Sequence, residues 1–108
     1  MSFSHLSCDQ LAYWLEMQPG EVNVIDIRDR ASYEQGHIAG AEHLDNNNVE
    51  EYIAKTNTNH PLVVCCYHGN SSQGAAEFMF SRGFKDAFSL DGGFEEWQRH
   101  PFHSSGEK

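Results

Sequence analysis

The stretch Pro61 to Phe84, PLVVCCYHGNSSQGAAEFMFSRGF, constrains this chain more than any other. It opens on Leu62-Val63-Val64-Cys65, an apolar and largely β-branched run suited to a buried strand. It closes on a helical pattern from Gly74 to Phe80, with Gly83 as the stop signal. Only a tight crossing, Cys66-Tyr67-His68-Gly69-Asn70-Ser71-Ser72, separates the two. A cysteine therefore falls at the carboxyl end of a strand, on a loop that opens a helix. In open parallel sheets, ligands bind at that edge.

Such a place activates a thiol. The reactive form is the thiolate, which needs nearby groups that stabilise negative charge. A loop running straight into a helix offers an inward nest of backbone N–H groups, and the first turn of the helix adds unpaired N–H groups and the positive end of its dipole. Gly69 lets the backbone close around a sulfur, while Asn70, Ser71 and Ser72 are helix-capping types. The loop contains no Lys or Arg, so its backbone must hold most of the charge. Cys66 is the candidate nucleophile, with Tyr67, His68, Gly69, Asn70, Ser71 and Ser72 as the substrate-binding loop. Strand alternation sends Cys65 to the opposite face, into apolar packing, where a thiol is inert. Cys8, in an expected first helix, reads as packing too.

The remaining elements fall in a regular order. Phe3 to Leu6 suits a short edge strand. Ser7 and Gln10 fit a capping box for a helix whose apolar face is Leu11, Trp14, Leu15 and Met17, ended by Pro19-Gly20. Val22 to Ile27 reads as a buried strand with Val22, Val24 and Ile25 in the core. Asp26 and Arg28 at its end suit an internal ion pair or cap better than a substrate contact. A short helix near Ala31 to Gln35, a turn at Gly36 to Gly40 and a short strand over Ala41 to Leu44 follow. Next come a helix through Val49, Tyr52 and Ile53, and a loop up to Pro61. After the central stretch, Asp86 to Leu90 gives a last strand, and Asp91-Gly92-Gly93 turns the chain into a helix at Phe94 to Trp97. That turn should lie beside the Cys66 loop. Phe94 and Trp97 could wall a pocket there, although core packing suits Trp97 better. Strands alternating with helices give an α/β fold with a mainly parallel sheet of about five strands and helices on both faces.

Charge and composition narrow the partners. Acidic residues outnumber basic ones 16 to 7, a formal charge of −9, which argues against nucleic acid or an anionic membrane surface. An anionic substrate remains admissible, because distant charges are screened beyond ~8 Å at physiological salt. Three cysteines, two of them adjacent, make no disulfide framework and fit a reducing compartment. The N-terminus lacks the basic and apolar segments of a signal peptide, and no apolar run approaches the ~20 residues of a membrane helix. The expected location is the cytoplasm. His37 and His43 lack neighbouring ligands at metal-binding spacing, so neither a metal nor another cofactor is expected.

The segments Cys66-Tyr67-His68-Gly69-Asn70-Ser71-Ser72 and Asp91-Gly92-Gly93-Phe94-Glu95-Glu96-Trp97 carry a resemblance, joined by Asp26-Ile27-Arg28-Asp29 and Tyr33 to Leu44. Together, in this order, the chain resembles the rhodanese family of sulfurtransferases, in particular its short single-domain thiosulfate sulfurtransferases. The resemblance covers nearly the whole chain and implies one rhodanese domain over 1–108, with 101–108 as a flexible tail. It also implies a bacterial setting and an activity. Cys66 would take the outer sulfur of thiosulfate, become a persulfide and release sulfite. It would then pass that sulfur to cyanide or to a dithiol protein such as thioredoxin. Because the loop lacks the cations that some relatives carry, affinity for thiosulfate should be modest.

Three rival readings share these residues. A cysteine-dependent phosphatase also uses a cysteine on a helix-opening nest, but needs an arginine six residues on to grip phosphate oxygens. Here that position is Ser72. A sulfur-carrier module taking persulfide sulfur from a protein partner would keep Cys66 and differ only in the surface around it. A catalytically dead interaction domain would lack the loop cysteine, which is present. For His68, donation to sulfite and bracing of the loop stay equally open.

Overall fold

The computed structural model describes residues 3–100. The expected tail at 101–108 lies outside the described residues. Within them the chain runs β1 (Ser4–Leu6), α1 (Cys8–Met17), β2 (Asn23–Asp26), α2 (Arg30–Gln35), β3 (Glu42–His43), α3 (Val49–Lys55), β4 (Leu62–Cys65), α4 (Ser71–Ser81), β5 (Ala87–Leu90) and α5 (Gly93–Arg99). The five strands form one sheet in the order β1-β5-β4-β2-β3, and every neighbouring pair is parallel. The expected α/β class and strand count are thus found, with β1 at an edge.

The sheet is covered on both sides because its strands alternate. Val24, Val63, Cys65 and Leu90 pack with Cys8, Leu11 and Trp97 of α1 and α5. Their neighbours Ile25, Val64 and Ala87 pack on the other face with Tyr52, Ala76 and Met79 of α3 and α4. A strand buried on both faces has no polar side, which is why β4 reads as a continuous apolar run. Its four residues are each 0% exposed.

Local chemistry sets the ends of the helices. The Ser7 hydroxyl accepts the Gln10 amide at 3.1 Å, the expected cap of α1. Asp29 caps α2 by accepting the Ser32 amide at 3.1 Å. The apolar face of α1 differs from expectation at one end. Cys8, Leu11 and Leu15 follow the i, i+3, i+7 stripe, whereas Met17, two residues past Leu15, projects away from the sheet and is 59% exposed.

The connections after β4 and β5 leave the sheet on opposite faces. From β4 the chain crosses to α4 on one side, and from β5 it crosses to α5 on the other. Since β4 and β5 are adjacent, a crevice opens between the two departing chains at the carboxyl edge, the geometry that receives ligands in open parallel sheets. Cys66 sits in that crevice.

Candidate active site

Cys66 follows the last residue of β4 and lies two residues beyond Val64, so alternation points its side chain toward the α4 face. Its sulfur is enclosed by donors. The Gly69 amide lies 3.1 Å from Sγ and the Ser72 amide 3.3 Å. The Ser72 hydroxyl oxygen lies 3.2 Å away. The residue is only 2% exposed, while Tyr67, His68, Asn70 and Ser71 around it in the chain are exposed.

Burial pushes the Cys66 thiol up, but the Ser72 hydroxyl and the amides of Ser72, Gly69 and His68 outweigh it, and the thiol ends below its ordinary value. Hydrogen bonds to the charged form favour that form. Its neighbour behaves oppositely. Burial drives the Cys65 thiol well above its ordinary value, with the Asp26 charge adding to the effect. Cys8 is pushed up to about 12, first by burial and then by the charges of Glu96, Asp9 and Asp91. Three free thiols thus divide into one shifted down by hydrogen bonds and two shifted up by burial.

Two glycines make the enclosure possible. Gly69 adopts φ +93°, and a Cβ there would stand 2.9 Å from the Gly92 amide nitrogen. Gly93 adopts φ +61°, and a Cβ there would stand 2.6 Å from the Cys66 carbonyl oxygen. Both backbones occupy the left-handed region while touching another backbone, a combination only glycine tolerates. The expected adjacency of the Cys66 loop and the Asp91-Gly92-Gly93 turn is therefore direct. Phe94 donates its amide to the Cys66 carbonyl at 2.8 Å, and Glu95 donates to the Tyr67 carbonyl at 3.1 Å.

The other loop side chains brace rather than face the sulfur. The His68 ring nitrogen Nδ1 pairs with the Glu95 carboxylate at 2.5 Å, which favours the bracing role for this side chain. The Tyr67 hydroxyl donates to the Asp29 carboxylate and accepts the Asp29 amide at 3.3 Å. Asn70 precedes α4 in helical geometry and makes no side-chain capping bond, and Ser71 is exposed at the first helical position. The capping role expected of Asn70, Ser71 and Ser72 is thus not used. Ser72 turns its hydroxyl to the sulfur instead.

The Asp26–Arg28 pair is internal, as the sequence favours. Arg28 Nε lies 3.0 and 3.1 Å from the two Asp26 carboxylate oxygens, and Nη2 lies 2.7 Å from one of them. Nη2 also donates to the Gly36 carbonyl at 2.7 Å, and the guanidinium stacks 4.2 Å from the centre of the Phe94 ring. Trp97 is fully buried in the core, whereas Phe94 is half-buried under Arg28. His37 and His43 point to the carbonyls of Tyr33 and Arg28 at 2.8 and 2.6 Å.

Some participants escape a linear reading. The Gln73 side chain donates to the Gly69 carbonyl at 3.0 Å, and the i, i+4 spacing is the signal that could have found it. Ser89 of β5 lies 2.7 Å, oxygen to oxygen, from the Ser72 hydroxyl. Its place two residues after the buried Ala87 puts it on the same face as α4.

A buried cysteine whose sulfur sits on hydrogen-bond donors, at the carboxyl edge of a parallel sheet, defines an α/β domain with a candidate nucleophile on the loop after its central strand. The model of the rhodanese-like domain family matches residues 9–100, and the chain belongs to that family. It is 50% identical over 84 residues to the thiosulfate sulfurtransferase GlpE of Stutzerimonas stutzeri, covering 78% of this chain and 76% of the relative. It is 48% identical over 96 residues to the protein of the same name from Shewanella oneidensis, covering 89% and 93%. Among solved structures, the rhodanese-like domain of an Anabaena protein superposes with a TM-score of 0.83 at 22% identity, covering 96% of this chain and 79% of that one. The last likeness concerns the fold alone.

Proposed function

We propose that this protein is a thiosulfate sulfurtransferase that works through a persulfide on Cys66. The observation that carries the reading is the set of hydrogen-bond donors around one sulfur, with Gly69 and Ser72 amides at 3.1 and 3.3 Å. The thiolate attacks the outer sulfur of thiosulfate. A new sulfur–sulfur bond forms at Cys66 as the bond to the sulfonate sulfur breaks, and sulfite leaves with the electron pair. Sulfite is weakly basic, and such leaving groups speed thiolate attack on sulfur. The persulfide anion then gives its terminal sulfur to a nucleophile. With cyanide the product is thiocyanate, and the Cys66 thiolate is restored. Preorganised donors stabilise anionic sulfur throughout without a cation.

The same proposal names the loop 67–72 as the substrate-binding element and a dithiol protein such as thioredoxin as a second acceptor. It also places the reaction in the cytoplasm, which suits three free thiols. No helix among the described residues is long and apolar enough to cross a membrane.

Intact mass after incubation with thiosulfate tests the reading. One added sulfur atom is expected, lost on addition of cyanide and absent in Cys66→Ser. No added sulfur, or an adduct that survives Cys66→Ser, overturns it. Uptake only from a persulfide-bearing protein would instead assign the carrier role.

A further inference from the structure

A hydroxyl on a central strand normally costs stability unless it is paired, yet Ser89 and Ser72 are each 0% exposed. They pair with one another at 2.7 Å, and Ser72 in turn reaches the Cys66 sulfur at 3.2 Å. Three side chains from three elements, β5, α4 and the loop after β4, thus form a chain of hydrogen-bonding atoms ending on the nucleophile.

We propose that Ser89 is a positioning residue for sulfur transfer: its hydroxyl donates to Ser72 Oγ and so turns the Ser72 proton toward the Cys66 sulfur. A hydroxyl carries one proton and two lone pairs, so each serine can donate in one direction while accepting from the other. When Cys66 is a thiol, its proton points to Ser72 Oγ, and Ser72 donates to Ser89. When Cys66 is a thiolate, both hydroxyls rotate, so that Ser89 donates to Ser72 and Ser72 donates to sulfur. No heavy atom moves, and no proton is gained or lost by either serine. The pair is a reversible donor, matched to a sulfur that alternates between protonated, anionic and sulfur-loaded forms.

The distinction from simple packing is directional. Without the Ser89 hydroxyl, Ser72 keeps its contact with sulfur but loses the partner that holds its lone pair. Its proton is then free to rotate away from the thiolate. Ser89 acts only through Ser72, so its effect must vanish when the Ser72 hydroxyl is absent. Mutual dependence of this kind is what a double-mutant cycle measures.

The inference deepens the reading of Cys66 as the nucleophile and rests on it, but its test does not need turnover. The pH dependence of Cys66 alkylation by iodoacetamide, followed by peptide mass mapping, gives the titration midpoint of this thiol. Ser72→Ala is expected to raise the midpoint by about one pH unit, the size of a hydrogen bond to a charged group. Ser89→Ala should raise it by about half as much, and Ser89→Thr, which keeps the hydroxyl, should restore it. In a Ser72→Ala background, Ser89→Ala should add nothing. An unchanged midpoint in Ser89→Ala, or the same rise in both backgrounds, overturns the proposal. Should the alanine variant fail to fold, Ser89→Cys fills the site with a weaker donor and should raise the midpoint in the same direction by a smaller amount; no rise there overturns the proposal. Sulfur uptake by the wild-type protein, measured in parallel, separates failure of this inference from failure of the sulfurtransferase reading.

Discussion

The amide of Phe94 donates to the carbonyl oxygen of Cys66 at 2.8 Å, which fastens the turn after β5 to the backbone of the residue whose sulfur the loop encloses. The contact requires Gly93 beside it. A Cβ at that position would stand 2.6 Å from the Cys66 and Tyr67 carbonyl oxygens. The two carboxyl-edge loops therefore hold their shape as one unit, and the donors around the sulfur inherit their positions from both.

Gly93→Ala should accordingly damage the site and the fold together. The substitution imposes a left-handed strain and drives backbone against backbone, at a cost of about 2–4 kcal/mol. Sulfur uptake by the folded fraction should fall roughly tenfold or more, since small displacements of reacting groups are expensive. Gly74→Ala is the contrast. That glycine lies inside α4 with nothing within 4 Å of its missing Cβ. It should gain about 0.5–1 kcal/mol from helix propensity and leave uptake intact. Urea melts and intact mass after thiosulfate treatment check both.

Alkylation should separate the three thiols. Cys66 is held below its ordinary value by Ser72, Gly69 and His68 donors that overcome burial, whereas burial holds Cys65 and Cys8 up, Cys8 to about 12. Under native conditions near about pH 7, iodoacetamide should label Cys66 alone, because the thiolate is the reacting form. All three should label in denaturant. Peptide mass mapping with and without denaturant reads the outcome, and labelling of Cys65 in the native protein would contradict the assignment of roles.

Why the sequence points to Cys66 rather than Cys65 follows from two periodicities. Alternation along β4 sends adjacent cysteines to opposite faces, and the helical pattern read from Gly74 onward leaves Cys66 on a short loop that opens a helix. The order of elements and the parallel sheet were legible for the same reason, since each apolar run and each turn signal is local. Gly93, Gln73 and Ser89 were less so, because their roles depend on which segments meet in space. Nothing in Asp86 to Leu90 says that its serine faces α4 until β5 is paired with β4. His68 stayed undecided because its partner, Glu95, is 27 residues away. The capping expectation for Ser72 failed for a physical reason: α4 begins at Ser71, so Ser72 lies inside the first turn, past the position whose oxygen accepts the free helix amides, and its hydroxyl lies against the Cys66 sulfur instead.

Alkali should weaken the fold, with a definite sign. Cys8 rises from its ordinary 9.0 to about 12 in the fold, so the stability it contributes is complete below 9.0 and is lost as pH climbs toward 12. Tyr52, raised from 10.0 to about 12 by burial, acts the same way in the upper part of that window. Cys66 is lowered, so its contribution is present above the ordinary thiol value and falls away as pH drops through the depressed one. Urea melts across the alkaline range should show declining stability. Cys8→Ala should make that decline shallower, although it lowers stability at neutral pH by removing a buried side chain. A decline of equal slope in both proteins would count against Cys8 as a source.

Removing one partner of the Asp26–Arg28 pair should be a stability event first. Asp26 is 0% exposed, and Arg28 Nη2 lies 2.7 Å from it. Arg28→Met leaves a carboxylate buried without its partner, which typically costs about 3–5 kcal/mol. Replacing both, as Asp26→Leu with Arg28→Met, should recover most of that loss, since two apolar side chains leave no unpaired charge. Arg28→Lys should fall between, because an ammonium cannot reproduce the bidentate fork and the stacking on Phe94. Chemical denaturation of the four proteins tests the order, and a double variant less stable than Arg28→Met would refute it.

Thiosulfate should meet this site with modest affinity, and added charge should change that. The chain carries a formal charge of −9, and the loop from Cys66 to Ser72 has no Lys or Arg. The Arg28 guanidinium lies 5.9 Å from the centre of the Tyr67 ring, but it is 6% exposed and committed to Asp26 and Gly36. A dianion bound at this loop would approach a chain of net negative charge and meet neutral donors there. Raising ionic strength should lower KM for thiosulfate, because screening weakens repulsion from distant carboxylates more than it weakens short hydrogen bonds. Asn70→Arg places a guanidinium at an exposed position that makes no side-chain capping bond. It should lower KM several-fold, as a charge-assisted contact replaces a neutral one, while leaving the Cys66 donors in place. Steady-state kinetics with cyanide as acceptor, at low and high salt, measure both effects. A KM that rises with salt in the wild-type protein would mean that attraction, not repulsion, governs the approach of the anion.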